Sequence, residues 1–273
     1  MSAPALPTRA ELAEQLADAR IAGRVATSRE NNLANFRLMA ARDPGYLFGL
    51  WPRGVWTFDD VLALMARRCG LSADPLHESG DDTIDPVLTI ERLEAMAGHL
   101  RAAAEAKARV LVATGHPTGL LVVHLEIARA LRAAGCTMLT PPAHWEDVDL
   151  SGRPQQRHVR SILDVCVASQ GANLLHTHSS VPMEVMLRDL EVRQIAPPDL
   201  VVADHGFAGA AGRSGITCLG FADTNDPALF VGEAEGDVTV CVPLDDNVLP
   251  HLYEPLTRFL LAVAFGAATG DRW

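Results

Sequence analysis

The stretch RVLVATGHPTG, residues 109–119, decides the fold of this chain. Four apolar residues, Val110–Ala113, predict a short buried strand, because they form a continuous apolar run that ends at a glycine- and proline-containing turn. Residues 120–134 then have the length and apolar content of a helix, and Gly135 ends it. This strand, turn and helix predict one βα step of a parallel sheet.

The same step recurs toward the C-terminus. Apolar runs predict further strands at residues 136–139, 172–175, 200–203, 216–221 and 238–242, and residues 159–168 fit a strand or a helix. Helices are predicted from Pro182, after Gly206, and at the end over residues 251–266. Strands that alternate with helices indicate an α/β protein with a Rossmann-like, mostly parallel sheet.

The chain upstream of residue 108 has a different pattern. Amphipathic spacing and capping residues predict helices at residues 11–26, 28–41, 58–69 and 89–107, with Ser28 and Thr57 as N-caps. We therefore predict a helical N-terminal subdomain, residues 1–107, packed as a cap on a Rossmann-like core of residues 108–273.

Composition limits the partners. The 273 residues carry a formal net charge of −11, which argues against nucleic acid and anionic membranes as partners. Acidity still permits a small anionic substrate, because a local set of donors is enough to bind one. A homo-oligomer is compatible with the sequence.

Cysteine usage and the N-terminus bear on location. The five cysteines include no C-x-x-C pair, so buried free thiols and a reducing compartment are expected. The N-terminal residues lack the pattern of a signal peptide, and no apolar run reaches the roughly 18 residues that a spanning helix needs. We expect a cytoplasmic protein.

Ligands of open parallel sheets bind beyond the carboxyl ends of the strands, so the polar residues there are the candidates for a site. The first set follows the strand that ends at Ala113. A glycine turn before a helix N-terminus is typical of anion binding, and it predicts substrate contacts from Thr114, Gly115, His116, Thr118 and Gly119. An ordinary strand-to-helix turn explains the same residues.

A second set follows the predicted strand at residues 172–175. His176 and His178 are two residues apart, a spacing that places both imidazoles on one side of a strand and suits a shared metal. Ser179 is a candidate substrate contact. Structural histidines are the alternative.

The third and fourth sets carry carboxylates. Asp204 and His205 follow an apolar strand, where a carboxylate and an imidazole suit metal binding or acid–base work, and Gly206 would open the next helix to an anion. Asp204 as a helix N-cap is the alternative. Asp223 and Asp226 offer oxygen ligands for a metal, although both are also common turn residues.

Two further sets have less defined roles. Arg29 is a candidate contact for an anionic substrate, reaching across from the N-terminal helices, although a solvated helix face explains it too. Residues 245–247 (Asp-Asp-Asn) are predicted to cap the last helix, with a position in the site as the alternative.

Several familiar hydrolase patterns are absent from the sequence. It has no cysteine followed by five residues and an arginine, no D-x-D-x-[TV] and no G-x-S-x-G. Lys107 is the only lysine, and its place near a helix end disfavours both a Walker A loop and a lysine Schiff base.

Three stretches of the chain carry a family resemblance. Residues 109–131, 199–212 and 220–265, together with 28–33, resemble an actinobacterial family that bears the plain name phosphatase. The resemblance covers nearly the whole chain and implies phosphoester hydrolysis. The turn after Ala113 is also similar to the Thr-Gly loop of the D-glutamate cyclase family, which would imply a carboxylate-bearing ligand.

These observations lead to one preferred hypothesis and two alternatives. The preferred one is a metal-assisted phosphatase for a small phosphorylated metabolite. In it, Asp204, His205 and His178 are catalytic, and the metal (Mg²⁺, Mn²⁺ or Zn²⁺) is held by His176, His178, Asp204, Asp223 and Asp226. The alternatives are a non-catalytic binder of a small anion or nucleotide, and a metal-free isomerase or lyase acting on a phosphosugar.

Overall fold

The computed structural model describes residues 6–148 and 152–266. The helices of the described residues are α1 Arg9–Asp18, α2 Arg29–Ala40, α3 Phe58–Cys69, α4 Pro86–Glu105, α5 Leu121–Ala133, α6 Val181–Val192, α7 His205–Arg213, α8 Pro227–Glu235 and α9 Glu254–Phe265. The strands are β1 Gly23–Ser28, β2 Asp81–Ile84, β3 Arg109–Thr114, β4 Thr137–Met138, β5 Ala143–Val148, β6 Pro154–Ile162, β7 Val165–Gln170, β8 Asn173–Leu174, β9 Leu200–Asp204, β10 Cys218–Ala222 and β11 Val240–Pro243.

The main sheet confirms the predicted α/β class. Its strands lie in the order β11-β10-β9-β3-β7-β6-β5, and β11, β10, β9, β3 and β7 run parallel to their neighbours in this set. Numbered along the chain, these parallel strands follow the order 2-1-3-4-5, so the direction of winding reverses between β3 and β9. A crevice forms at such a reversal point, and it is where α/β sheets of this kind bind their ligands.

Helices cover both faces of the parallel part of the sheet, which explains why β3, β9 and β10 are buried almost throughout, whereas β5 and β6 are largely exposed. Val110 and Val112 of β3 pack in a core with α1, α4, α5 and α9, whereas Leu111 and Ala113 pack in a second core with α2, α3, α6, α7 and α8. Successive side chains of a strand point to opposite faces, so an unbroken apolar run is needed when both faces are buried.

The helical N-terminal region was predicted correctly in part. Helix α2 begins after Ser28, whose hydroxyl caps it, and α3 begins after Thr57, which forms a capping box with Asp60. Helix α4 starts earlier than predicted, at Pro86, because Asp85 is its N-cap.

The predicted helix at residues 11–26 was wrong in its second half. Helix α1 ends at Asp18, because Arg20 takes a left-handed conformation and the amides of Ile21 and Ala22 both bond back to the carbonyl of Leu16. Residues 23–28 instead form β1, which pairs with β2 in a separate antiparallel sheet.

The region from residue 141 to 175 also differs from the prediction. Residues 143–148 and 154–162 form an antiparallel hairpin, β5 and β6, that extends the main sheet; residues 149–151 lie outside the described residues. The predicted strand at residues 172–175 is reduced to β8, which turns back antiparallel on β7. The segment that carries His176 and His178 is therefore a returning loop and not the end of a parallel strand.

The division into a cap (1–107) and a core (108–273) stays a prediction. Helices of the N-terminal region contribute to both cores, because α1 and α4 cover one face of the sheet and α2 and α3 the other. Over residues 6–148 and 152–266, no helix combines the length and the apolar character that crossing a membrane requires.

Candidate functional site

Loops from neighbouring strands meet above the point where the sheet reverses. The loop after β3 reaches the returning loop at residues 176–180, since the amide of Thr177 donates to the carbonyl of Gly115 over 2.9 Å. The turn at Asp204 and His205 lies beside them, and the ends of β10 and β11 add carboxylates. The structure thus brings together most of the residues that the strand-end rule selected.

Four imidazoles form the centre, which we call the histidine cluster: His116, His176, His178 and His205. The rings of His178 and His205 stack with centroids 4.4 Å apart, and those of His116 and His176 stack at 4.2 Å. The Nε2 atoms of His176 and His178 are 3.2 Å apart. His116 and His205 are buried, whereas His176 and His178 are exposed, so the cluster opens to solvent on one side.

Asp204 lies beneath this cluster and is fully buried. One of its oxygens, Oδ1, accepts from the amide of Gly115 at 2.6 Å and faces Nδ1 of His205 at 3.1 Å; the other, Oδ2, accepts from the hydroxyl of Thr114 at 2.5 Å. Both oxygens are therefore engaged by protein groups. This geometry suits a carboxylate that fixes the orientation of His205, as carboxylates that accept hydrogen bonds from metal-bound imidazoles do.

His205 sits on a sharp turn from strand to helix. Its φ is +44°, in the left-handed region that few residues with a side chain adopt. Strained backbone of this kind is concentrated at functional sites. The turn directs Nε2 of His205 toward Oδ2 of Asp226 and Oδ2 of Asp246, each at 3.2 Å.

Carboxylates control the charge of His205. Burial opposes protonation, but the charge of Asp226 and contacts with Asp204, Asp226 and Asp246 outweigh it and hold the pKa of His205 well above the usual value. In the absence of a ligand the ring is therefore an imidazolium surrounded by three carboxylates.

Three carboxylates form a second, adjoining group, which we call the acidic pocket: Asp223, Asp245 and Asp246. Their oxygens lie within 4.8 Å of one another, and all three side chains are buried. Burial together with the charges of Asp246 and Asp245 raises the pKa of Asp223 well above its usual value. Thr27 of β1 donates a hydroxyl hydrogen bond to Asp223.

The histidine cluster contains groups of donor atoms that could hold a metal ion. Donor atoms of His116, His176 and His205 lie within 4.8 Å of one another, and so do those of His178, His205 and Asp226. Two nitrogens bound to one tetrahedral metal lie about 3.3 Å apart, close to the separation between His176 and His178. Partial desolvation and the neighbouring imidazoles of His116, His205 and His178 lower the pKa of His176 to about 4, so this ring is neutral at pH 7 and has a lone pair to donate.

Close packing requires glycine at positions 115 and 119, which the sequence did not reveal. A Cβ on Gly115 would lie 2.4 Å from the carbonyl oxygen of Thr177, and a Cβ on Gly119 would lie 2.1 Å from that of Asp246. The amides of Gly115 and His116 are already bonded to Asp204 and Thr114. An anion cradle in this turn would have to use the remaining groups, including the exposed side chain of Thr118, and it stays a prediction.

Gly206 and Ser179 are in direct contact across the site. A Cβ on Gly206 would lie 2.3 Å from the carbonyl oxygen of His178 and 2.4 Å from that of Ser179, so the returning loop rests on the start of α7. Ser179 itself is exposed beside the cluster. Its hydroxyl accepts from the amide of Val181 at 3.2 Å.

Arg29 is the predicted site residue that the structure places elsewhere. Its side chain is fully buried and bonds to Asp82 at 3.1 Å and to the carbonyls of His77 and Asp74. The expected contact with an anionic substrate is therefore not supported, because the guanidinium is enclosed and already paired. It stabilises the junction between α2 and the loop before β2.

Sequence reasoning underestimated two sets of residues. Asp245 and Asp246 were predicted to cap the last helix, but α9 begins at Glu254 and both carboxylates face the acidic pocket. Thr27, which lies between two predicted helices, was given no role. The signal for Asp246 was present, because residues 245 and 246 follow strand β11 just as Asp223 follows β10.

Comparisons with known proteins match nearly the whole length of this chain. A protein-family model described as Phosphatase matches residues 7–268. A curated protein of Streptomyces coelicolor strain A3(2), named Phosphatase SCO2771, is 50% identical over 266 residues, which cover 97% of this chain and 99% of that protein.

Proposed function

We propose, on the premise that this chain belongs to the family described as Phosphatase, that it hydrolyses a phosphoester of a small metabolite with the help of a divalent metal. The family membership confirms the resemblance to the actinobacterial phosphatases. The local likeness to D-glutamate cyclases stays a prediction. The observation that carries the proposal is the meeting of the histidine cluster with Asp226 and Asp246 at the reversal point of the sheet.

The metal would be held by His176, His178, His205 and Asp226. Imidazole nitrogen and carboxylate oxygen are a ligand set that Zn²⁺ and Mn²⁺ accept, and Mg²⁺ would rely more on the oxygens. When bound, such a cation supplies positive charge to the phosphoryl oxygens, where negative charge has to be stabilised during transfer. Asp223 belongs to the acidic pocket and is not needed for this set.

We propose for Asp204 a role other than the predicted ones of catalytic residue and metal ligand. Its contacts with Thr114, Gly115 and His205 hold the imidazole so that Nε2 faces the ligand set. We assign it as a positioning residue, consistent with the carboxylate–histidine pairs that surround metals. The exposed hydroxyls of Ser179 and Thr118 are then the groups available to contact the substrate.

A phosphoester panel tests the proposal. The purified protein is assayed against phosphosugars, nucleotides and an aryl phosphate, first after chelation and then with added Mg²⁺, Mn²⁺ or Zn²⁺. We expect turnover that depends on one of the metals. The variant His178→Ala should lower kcat/KM by about 10²–10⁴-fold, and Asp204→Asn should weaken metal affinity by about 10–100-fold.

The exposed His99 on α4 provides the control, since His99→Ala should leave turnover unchanged. Full activity of both site variants on every hydrolysed ester would refute the assignment. Saturable binding of an anion without turnover would favour the binding protein. Turnover of a phosphosugar by isomerisation, in a protein free of metal, would favour His205 as an acid–base residue.

A further inference from the structure

The acidic pocket is the feature that the proposed metal site does not use. Asp223 and Asp245 have oxygens within 4.8 Å of those of Asp246, and none of the three residues exceeds 5% exposure. The pocket has a built lining: Thr27 donates to Asp223, and the backbone amides of Ala26 and Asn247 donate to the two oxygens of Asp245. These donors fix the orientation of the carboxylates.

Three buried carboxylates in contact are unfavourable without a positive partner. Like charges in a medium of low dielectric repel strongly, and each carboxylate has also lost its hydration. A protein can remove the charge by protonation or can neutralise it with a cation. These two solutions make different predictions for metal binding.

His116, a residue outside the acidic pocket, indicates that a cation neutralises the charge. This imidazole is buried, with 3% exposure, and its Nδ1 has no hydrogen-bond partner although it lies 3.3 Å from Oδ1 of Asp246. The other oxygen of Asp246, Oδ2, faces Nε2 of His205 at 3.2 Å. Buried polar atoms are nearly always satisfied, so the unsatisfied nitrogen of His116 beside the pocket indicates a ligand that binds there.

Asp246 links the two groups. Its Oδ2 lies 3.2 Å from Nε2 of His205, and its Oδ1 faces His116. A carboxylate placed between a nitrogen-rich group and an oxygen-rich group is suited to share its two oxygens between neighbouring cations, as in two-metal phosphatase sites.

We propose that the acidic pocket is a second divalent-cation site, in which Asp223, Asp245 and Asp246 supply the oxygens and Asp246 is shared with the histidine cluster. This proposal rests on the proposed function for its first metal. All-carboxylate surroundings favour a hard cation such as Mg²⁺ or Mn²⁺. The pair of cations would neutralise more of the charge of a phosphoryl group than one cation alone.

The test measures how many Mn²⁺ ions each chain binds. The full chain is stripped with a chelator, reconstituted with Mn²⁺, desalted and analysed for metal per chain, while electron paramagnetic resonance reports whether two Mn²⁺ ions are close enough to couple. We expect two ions and a coupled signal. The variants Asp223→Asn and Asp245→Asn should each bind one ion without coupling, and the exposed-surface control Asp18→Asn should bind two.

Thermal unfolding supplies an independent measurement. The Asn variants should lose the part of the Mn²⁺-induced rise in unfolding temperature that comes from the second ion. If Asp223→Asn does not fold, the Asp245→Asn variant decides.

One ion per wild-type chain, or two coupled ions in both Asn variants, would overturn this proposal and would indicate that the pocket is neutralised by protons. The result is distinguishable from failure of the proposed function. Two coupled ions without turnover of any phosphoester would refute the proposed phosphatase activity and support the second cation site. Turnover with a single bound ion would support the activity and refute the second site.

Discussion

Replacing Gly206 by alanine should disable the site without unfolding the protein. The added Cβ would lie 2.3 Å from the carbonyl oxygen of His178 and 2.4 Å from the carbonyl carbon and oxygen of Ser179. Real Cβ atoms are not found within 3.0 Å of such atoms, so the returning loop has to move by at least about 0.7 Å. The neighbouring atoms belong to the backbone, which has no side-chain rotation to relieve the clash.

The size of the effect follows from this displacement. His178 stacks on His205 at 4.4 Å and belongs to a group of donor atoms within 4.8 Å, so a shift of this size changes the ligand geometry directly. A misplacement of about 1 Å at a reacting centre costs about 10²-fold in rate. We therefore expect kcat/KM of Gly206→Ala to fall by about 10²-fold, together with weaker metal binding.

The assay is steady-state turnover of the best phosphoester from the panel, with metal content and thermal unfolding measured on the same samples. Gly98→Ala is the matched control, because Gly98 is exposed in the middle of α4 and has open space where a Cβ would be. It should keep full activity and gain about 0.5–1 kcal/mol of stability. If the Gly206→Ala protein hydrolyses the phosphoester at a rate within threefold of wild type, the position of the returning loop does not determine activity.

Three further outcomes are expected. Asp82→Ala leaves Arg29 buried without its partner, so the free energy of unfolding in urea should fall by about 3–5 kcal/mol, while turnover of the folded fraction is unchanged; a loss below 1 kcal/mol would contradict this. Partial burial of Glu235 opposes its ionisation, but hydrogen bonds from Trp56 and from two backbone amides lower its pKa below the usual value. Because the folded pKa is the lower one, wild type should be more stable than Glu235→Gln above about pH 5, and the difference should shrink as the pH falls through the lowered pKa of Glu235; a constant difference across denaturation curves at pH 3 to 7 would be the opposite result. Removal of divalent metal with a chelator should lower the unfolding temperature of wild type, and His176→Ala should reduce that shift, which calorimetry would reveal.

The parts of the fold that the sequence predicts are those with local signals. The apolar runs of β3, β9, β10 and β11 and the caps of α2 and α3 are decided within a few residues, and the structure has them close to where they were expected. The strand β1 was missed because residues 11–26 are rich in alanine and keep a helical spacing. The residue whose left-handed conformation ends α1 is Arg20 and not a glycine, so the sequence does not indicate this helix end.

The sequence selected most of the residues that the structure brings together, but not their contacts with one another. His178 was selected at a predicted strand end that the structure replaces with a returning loop. The rule that ligands bind at strand ends also selected His205, Asp223 and Asp226, which closely follow apolar strands of the parallel sheet. It did not reveal that Asp204 is enclosed by hydrogen bonds or that Arg29 is paired with Asp82. Such roles depend on partners far along the chain, which spacing alone does not encode.

The contact between β1 and the loop after β11 has a consequence for how the protein is made. Ala26 donates to Asp245 across 219 positions of sequence, and Thr27 bonds to Asp223. During synthesis β1 cannot form these contacts until residues 223 and 245 have been translated, so we expect the candidate site to assemble only after that point.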